Sequence, residues 1–223
     1  MHSAHGMPVV AAERRMDLSA LAAVRGDVPW AALFVRAFAR VAARRPELRR
    51  SYQSYPWPHL YEADRSVASV AVAREFEGES AVFFGLIDSP DRLSLPELAE
   101  RLLDFKTLPI ESVRPFARLV RYTRYPRPVR RVVWWLGLNL SGKHRARTIG
   151  TFGLSTVAGA GSSLLNLISP IAFALNYGPI DSTGMIEIRL NFDHRVLDGL
   201  TAAEALKEME VELNLVEGAR GGT

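Results

Sequence analysis

The residues best suited to do chemistry form one short run, Asp193-His194-Arg195-Val196-Leu197-Asp198-Gly199. A neutral imidazole, with an ordinary pKa of about 6.5, can take a proton from a thiol of pKa about 8.5 at small cost when the two are within hydrogen-bond reach. His194 is therefore the candidate general base, and a glycine at 199 would permit close chain approach at the turn. Two plainer readings compete. An isolated histidine at a strand end often only fills space, and His194 with Asp198 at helical spacing could be a pair of metal ligands. The metal reading finds no third ligand cluster, and the chain has no cysteine. Without cysteine there is no disulfide framework, no thiolate nucleophile and no cysteine-ligated zinc or iron–sulfur site.

Such a run needs elements that hold it. Ile186, Ile188, Leu190 and Phe192 alternate with Glu187, Arg189 and Asn191, which predicts a strand leading directly into Asp193 and His194. A terminal helix follows, with Leu200, Ala203, Leu206 and Leu213 expected inward. Upstream, Val9 to Met16 reads as a strand and Trp30 to Arg44 as an amphipathic helix that stops before Pro46. Strands are expected around Val67 to Ala73 and Ser80 to Ile87. Ser94-Leu95-Pro96-Glu97 is a capping box that opens a helix. From Pro128, Val129, Val132, Val133 and Leu136 recur at helical spacing. Thr148 to Ser155 and Ile171 to Tyr177 read as strands around the turn Ala158-Gly159-Ala160-Gly161, which lacks the ending of a phosphate loop. This mixture of strands and helices predicts an α/β or α+β sandwich.

The run Phe192-Asp193-His194-Arg195-Val196-x-Asp198-Gly199 resembles the signature of the acyltransferase cores of 2-oxoacid dehydrogenase complexes, shared more loosely with chloramphenicol acetyltransferases and peptide-synthetase condensation domains. The resemblance implies a chloramphenicol acetyltransferase-like two-layer sandwich of mixed sheet and helices. It makes His194 the general base and Asp198 a structural residue, and places Gly199 in the binding loop. Gly150-Thr151-Phe152-Gly153-Leu154-Ser155-Thr156 is similar to a second family segment, whose serine steadies the tetrahedral intermediate; this maps onto Ser155, with Thr156 beside it in substrate binding. Gly153 and Thr156 depart from the family residues. Val28 to Leu48 and Asp91 to Leu98 resemble further family segments. An arginine of the first strand, Arg14 or Arg15, is implied to pair with Asp198. The implied activity is acyl transfer from acyl-coenzyme A or an acylated lipoyl group on a partner protein to a thiol, hydroxyl or amine, without a metal. The implied assembly is a homotrimer with sites between subunits. The alternative is a non-catalytic homologue serving as an assembly or partner-binding module.

Composition sets the frame around this reading. The 223 residues, 48% hydrophobic and 23% charged, suit one catalytic domain over 1–223, with a basic helical insertion at about 106–147 and no lipoyl or partner-binding domain. The net charge of +4 is unevenly spread: ten basic residues and no acid lie between Arg114 and Arg147, leaving 18 basic against 24 acidic residues elsewhere. Arg130 and Arg131 in this segment are candidates for the phosphates of coenzyme A, against the plainer reading of a solvated helix face. The uncharged stretch from Ile149 to Ile180 is broken by Gly and Pro and reads as strands and turns rather than a membrane span. With no secretory pattern at Met1 to Gly6, the expectation is a cytoplasmic protein without membrane or nucleic-acid partners.

Overall fold

A computed structural model of the chain describes residues 8–155 and 170–218. Alternating sequence builds a six-stranded mixed sheet from β1 (Val9–Asp17), β4 (Val67–Phe76), β5 (Glu79–Asp88), β6 (Phe152–Ser155), β7 (Phe173–Tyr177) and β8 (Met185–Asp193). Its order is β1-β8-β7-β6-β4-β5, so β1 and β5 are the outer strands. β6 runs parallel to both β4 and β7, while the β1–β8, β7–β8 and β4–β5 pairs are antiparallel. A separate hairpin pairs β2 (Arg50–Gln53) with β3 (His59–Glu62).

One face of the large sheet carries the core. The cross-strand rows Ala68–Phe152–Phe173–Phe192 and Val70–Leu154–Leu175–Leu190 are buried throughout. Against them packs α2 (Trp30–Arg44), whose Phe38 lies 4.7 Å from Phe152 and whose Phe34 lies 4.6 Å from Tyr177. Beside it runs α7 (Gly199–Gly218), joined to α2 by Arg44–Glu212 and Arg45–Glu208 ion pairs. Ala202, Ala205, Leu206, Met209 and Leu213 form its buried stripe. The expected inward positions Leu200 and Ala203 are exposed, because a turn of 100° per residue puts them on the solvent side of that stripe. Leu206 and Leu213 do face inward.

Over β4 and β5 lie α3 (Leu95–Thr107), opened by the Ser94–Glu97 capping box, and α4 (Arg114–Thr123), whose Phe116 meets Phe83 at 5.0 Å. Phe105 of α3 sits directly on Gly85, where any side chain would collide with its ring. A six-residue α1 (Ser19–Val24) follows β1, and α5 (Arg127–Asn139) and α6 (Gly142–Thr148) lead into β6. The strand expected from Thr148 is thus shorter. Thr148 closes α6, whose Ser141 cap accepts from the His144 amide, and Gly150 at a φ of 112° turns the chain before β6 starts. Thr156 and the glycine-rich turn at 158–161 lie outside the described residues.

Candidate active site

His194 stands on a tight turn at the end of β8. The Val196 and Leu197 amides both donate to the Asp193 carbonyl, and the two side chains are buried, which pins the turn to the core. The His194 amide donates to the Pro8 carbonyl at 2.9 Å, and its ring lies 6.1 Å from Phe192. His194 is exposed, and no described residue hydrogen-bonds its imidazole.

Flanking residues stiffen the turn through charge. Asp193 is 2% exposed and receives a two-pronged contact from Arg195, with Nε at 2.9 Å and Nη2 at 2.7 Å. That contact holds the Arg195 guanidinium above its ordinary pKa. The same guanidinium lies over the Tyr52 ring of β2, 4.1 Å from its centre. Arg145 of α6 is buried nearby and donates to the carbonyls of Tyr52, at 3.0 Å, and Pro170. Burial pushes Arg145 down to about 10, partly countered by the Asp193 carboxylate.

Asp198 sits at the start of α7, accepting from the Thr201 amide at 2.8 Å and the Thr201 hydroxyl at 3.1 Å. These bonds hold its carboxyl below the usual aspartate value, with the Thr201 amide the largest cause. The expected ion pair with the first strand is not made: Arg14 pairs with Glu210 of α7 and Arg15 with Asp181. Asp198 fixes its loop as a helix cap instead, because Glu210 and Asp181 already take the two arginines of β1. Gly199 is exposed and nothing lies within 4 Å of where a side chain would start, so close approach within one chain does not explain it.

Ser155 ends β6 on the face away from α2, in the row Ser155–Asn176–Arg189. In that row Asn176 is 1% exposed, and one row along Asn191 is 2% exposed; neither amide has a hydrogen-bond partner among the described residues. Because β8 runs against β6 and β7, His194 lies five residues beyond Arg189 and two strands across. At ~3.3 Å per residue and ~4.8 Å per strand, the two backbones are roughly 19 Å apart. One chain does not bring Ser155 and His194 together. Arg130 and Arg131 lie on the exposed first turns of α5 and form no hydrogen bond or ion pair with the histidine turn's neighbours Asp193, Arg195 or Arg145. Among the described residues no three of His, Asp and Glu converge as a metal site would require, and no helix is long and apolar enough to cross a membrane.

No family model and no curated protein matches the sequence. Solved structures do match. A Listeria monocytogenes 4b F2365 protein described as a probable dihydrolipoamide acetyltransferase has a TM-score of 0.68 at 18% identity, over 96% of this chain and 87% of that one. The dihydrolipoamide acetyltransferase of Azotobacter vinelandii, studied for the catalytic role of a serine, a histidine and an asparagine, has a TM-score of 0.67 at 17% identity, over 95% and 84%. A chloramphenicol acetyltransferase matches at 0.57 and 14%, over 95% and 92%. The fold is that of the dihydrolipoamide and chloramphenicol acetyltransferases. Within this acetyltransferase fold, the residues that sequence reading missed are those around the histidine rather than the histidine itself. Tyr52 comes from the small hairpin, and Arg145 is one arginine among many in a basic stretch. Only folding distinguishes Arg145 from its exposed neighbours, since nothing local marks it for burial.

Proposed function

We propose that the chain is an acyltransferase that moves an acyl group directly from a thioester to an acceptor, with His194 as general base. The carrying observation is the exposed imidazole, free of hydrogen-bond partners among the described residues, on a turn braced by Asp193, Arg195 and Asp198, in a fold whose solved examples include acetyltransferases. The histidine and asparagine studied in the Azotobacter enzyme stand four residues apart, as His194 and Asp198 do here.

In the proposed reaction, His194 takes the proton of a thiol, hydroxyl or amine as its heteroatom attacks the thioester carbonyl. The C–S bond then breaks, and the departing thiolate recovers that proton from the imidazolium. An oxyanion develops between these steps, and a hydroxyl aimed at it bonds more strongly there than in the ground state. Ser155 is assigned that task from a neighbouring copy, since roughly 19 Å separates it from His194 of its own chain. The unpartnered amides of Asn176 and Asn191 beside it would be satisfied by a polar substrate group. A closed oligomer, a homotrimer by the resemblance, would form such a site at each interface. Coenzyme A or a lipoyl group on a partner would carry the acyl group. Arg130 and Arg131 are assigned the phosphates of coenzyme A.

A screen of acyl-coenzyme A donors against thiol, hydroxyl and amine acceptors, with mass detection of products, tests the reading. Transfer that falls by ~10² to 10⁴ in His194→Ala supports it. Transfer undiminished in that variant refutes the base. No turnover with any coenzyme A or lipoyl thioester would favour a non-catalytic assembly module.

A further inference from the structure

The positive charge of this chain is handled in two different ways. At the end of α2 the arginines are neutralised within the fold: Arg40 and Arg44 pair with Glu212, and Arg45, which follows the helix, with Glu208 and Glu204. The ten basic residues between Arg114 and Arg147 form no ion pair among the described residues. No acid occurs between residues 112 and 180 to supply one. All but the buried Arg145 and the half-buried Arg118 are exposed.

The apolar residues of the same region are unpartnered too. Val129, Val132 and Leu136 of α5 and Leu140 at its C-terminal cap line one stripe at helical spacing, and all four are exposed, at 42%, 58%, 39% and 59%. Leu138, on the other side, is the one buried residue of that helix. Trp134 and Trp135 are also exposed, as are Tyr55, which meets Trp135 at 5.8 Å, and Trp57 of the adjoining loop. Three of the four tryptophans thus stand at the surface on or beside the basic α4–α5 segment. An amphipathic helix with a bare apolar stripe, flanking arginines and exposed indoles matches what lies in the plane of a bilayer interface. Unneutralised cationic charge selects anionic headgroups there. With no described helix able to cross a membrane, attachment would be along the surface.

We infer that the basic α4–α5 segment docks the protein on anionic membrane surfaces, inserting the Val129–Leu140 stripe among the headgroups with Trp135 at its edge. Such docking would add a membrane surface to the partners expected from the sequence. It is independent of the acyl-transfer reading.

The test uses the full chain with vesicles of phosphatidylglycerol mixed into phosphatidylcholine and, separately, of phosphatidylcholine alone. Co-sedimentation with the anionic vesicles, weakening at least about tenfold between 0.1 and 0.5 M salt, is expected. Tryptophan emission should shift to the blue on binding, and the shift should be reduced in Trp135→Phe but kept in Trp134→Phe, whose indole lies on the opposite face of α5. Val132→Glu with Leu140→Glu touches no core contact and should keep the melting temperature while losing at least about tenfold in vesicle affinity. Arg121→Glu with Arg124→Glu should weaken binding similarly. Absence of co-sedimentation, or binding unaffected by the paired glutamates on the stripe, overturns the inference. So does dissociation of the oligomer by those glutamates in light scattering, which would make the stripe an interface between copies. Equal binding of a single-stranded RNA oligonucleotide in competition with the vesicles would also overturn it.

Discussion

The separation of Ser155 from His194 turns the proposed shared site into a counting experiment. In His194→Ala chains the serine is intact, and in Ser155→Ala chains the histidine is intact. Neither pure oligomer has a complete site. In a ring where each site takes histidine from one chain and serine from the next, random mixing of equal pools leaves about a quarter of sites complete. Selecting mixed oligomers by two different affinity tags raises this to about a third of wild-type turnover for a trimer and about half for a dimer, so the recovery also reports ring size. The background is low. Loss of a general base costs ~10² to 10⁴ and loss of an oxyanion donor ~10² to 10³, so each pure variant should retain about 1% or less. Initial rates of thioester consumption on the doubly purified material, per mole of chain, give the answer. Recovery no higher than the pure variants, in oligomers that carry both tags, would refute the sharing and the sheet-register argument behind it.

Other consequences follow from the same geometry. Asp198→Ala should lower both the melting temperature and the transfer rate, whereas Asp198→Asn, which retains a capping side chain, should keep most of the stability. Because the Asp198 carboxyl is held below its ordinary value, its contribution is present above the unfolded aspartate pKa and lost as pH falls through the lower folded one. Asp198→Asn should therefore flatten the acid limb of a plot of melting temperature against pH, and an unchanged limb would contradict the capping role. Arg195→Leu leaves the buried Asp193 without its forked partner and should cost about 2 kcal/mol in urea unfolding, less than the ~3–5 kcal/mol of a fully buried pair because Arg195 stays one-third exposed. Asp193→Asn added to it should recover part of that loss. Phe38→Ala removes the ring seated on Phe152 and should cost ~3–5 kcal/mol, checked by the same unfolding curve.

Where sequence reading succeeded, a local pattern carried the information. The strand β8 announces itself by strict alternation, and α2 by its stripe and the proline after it; the capping box fixes the start of α3 within one residue. The histidine turn was legible for the same reason, being contiguous. The partner of Asp198 was not, because α7 supplies Glu210 to Arg14 from far along the chain, and only tertiary packing decides which acid reaches which arginine. The short hairpin β2–β3 escaped notice because it is four residues per strand with prolines between, too brief for a period to show. Its Tyr52 therefore escaped as well, together with the cationic contact that steadies Arg195.

The bond from the His194 amide to the Pro8 carbonyl has a practical side. Pro8 immediately precedes β1, an outer strand, so a group joined directly to Pro8 in place of residues 1–7 would start beside the histidine turn. A bulky group joined there would crowd the approach of large donors, and under the acyl-transfer reading its removal would change apparent kinetics without altering any residue of the site. The same placement is an opportunity for engineering. A carrier domain joined there through a short flexible linker would present its cargo at an effective concentration in the millimolar range, and systematic lengthening of the linker would dilute that advantage in a predictable way.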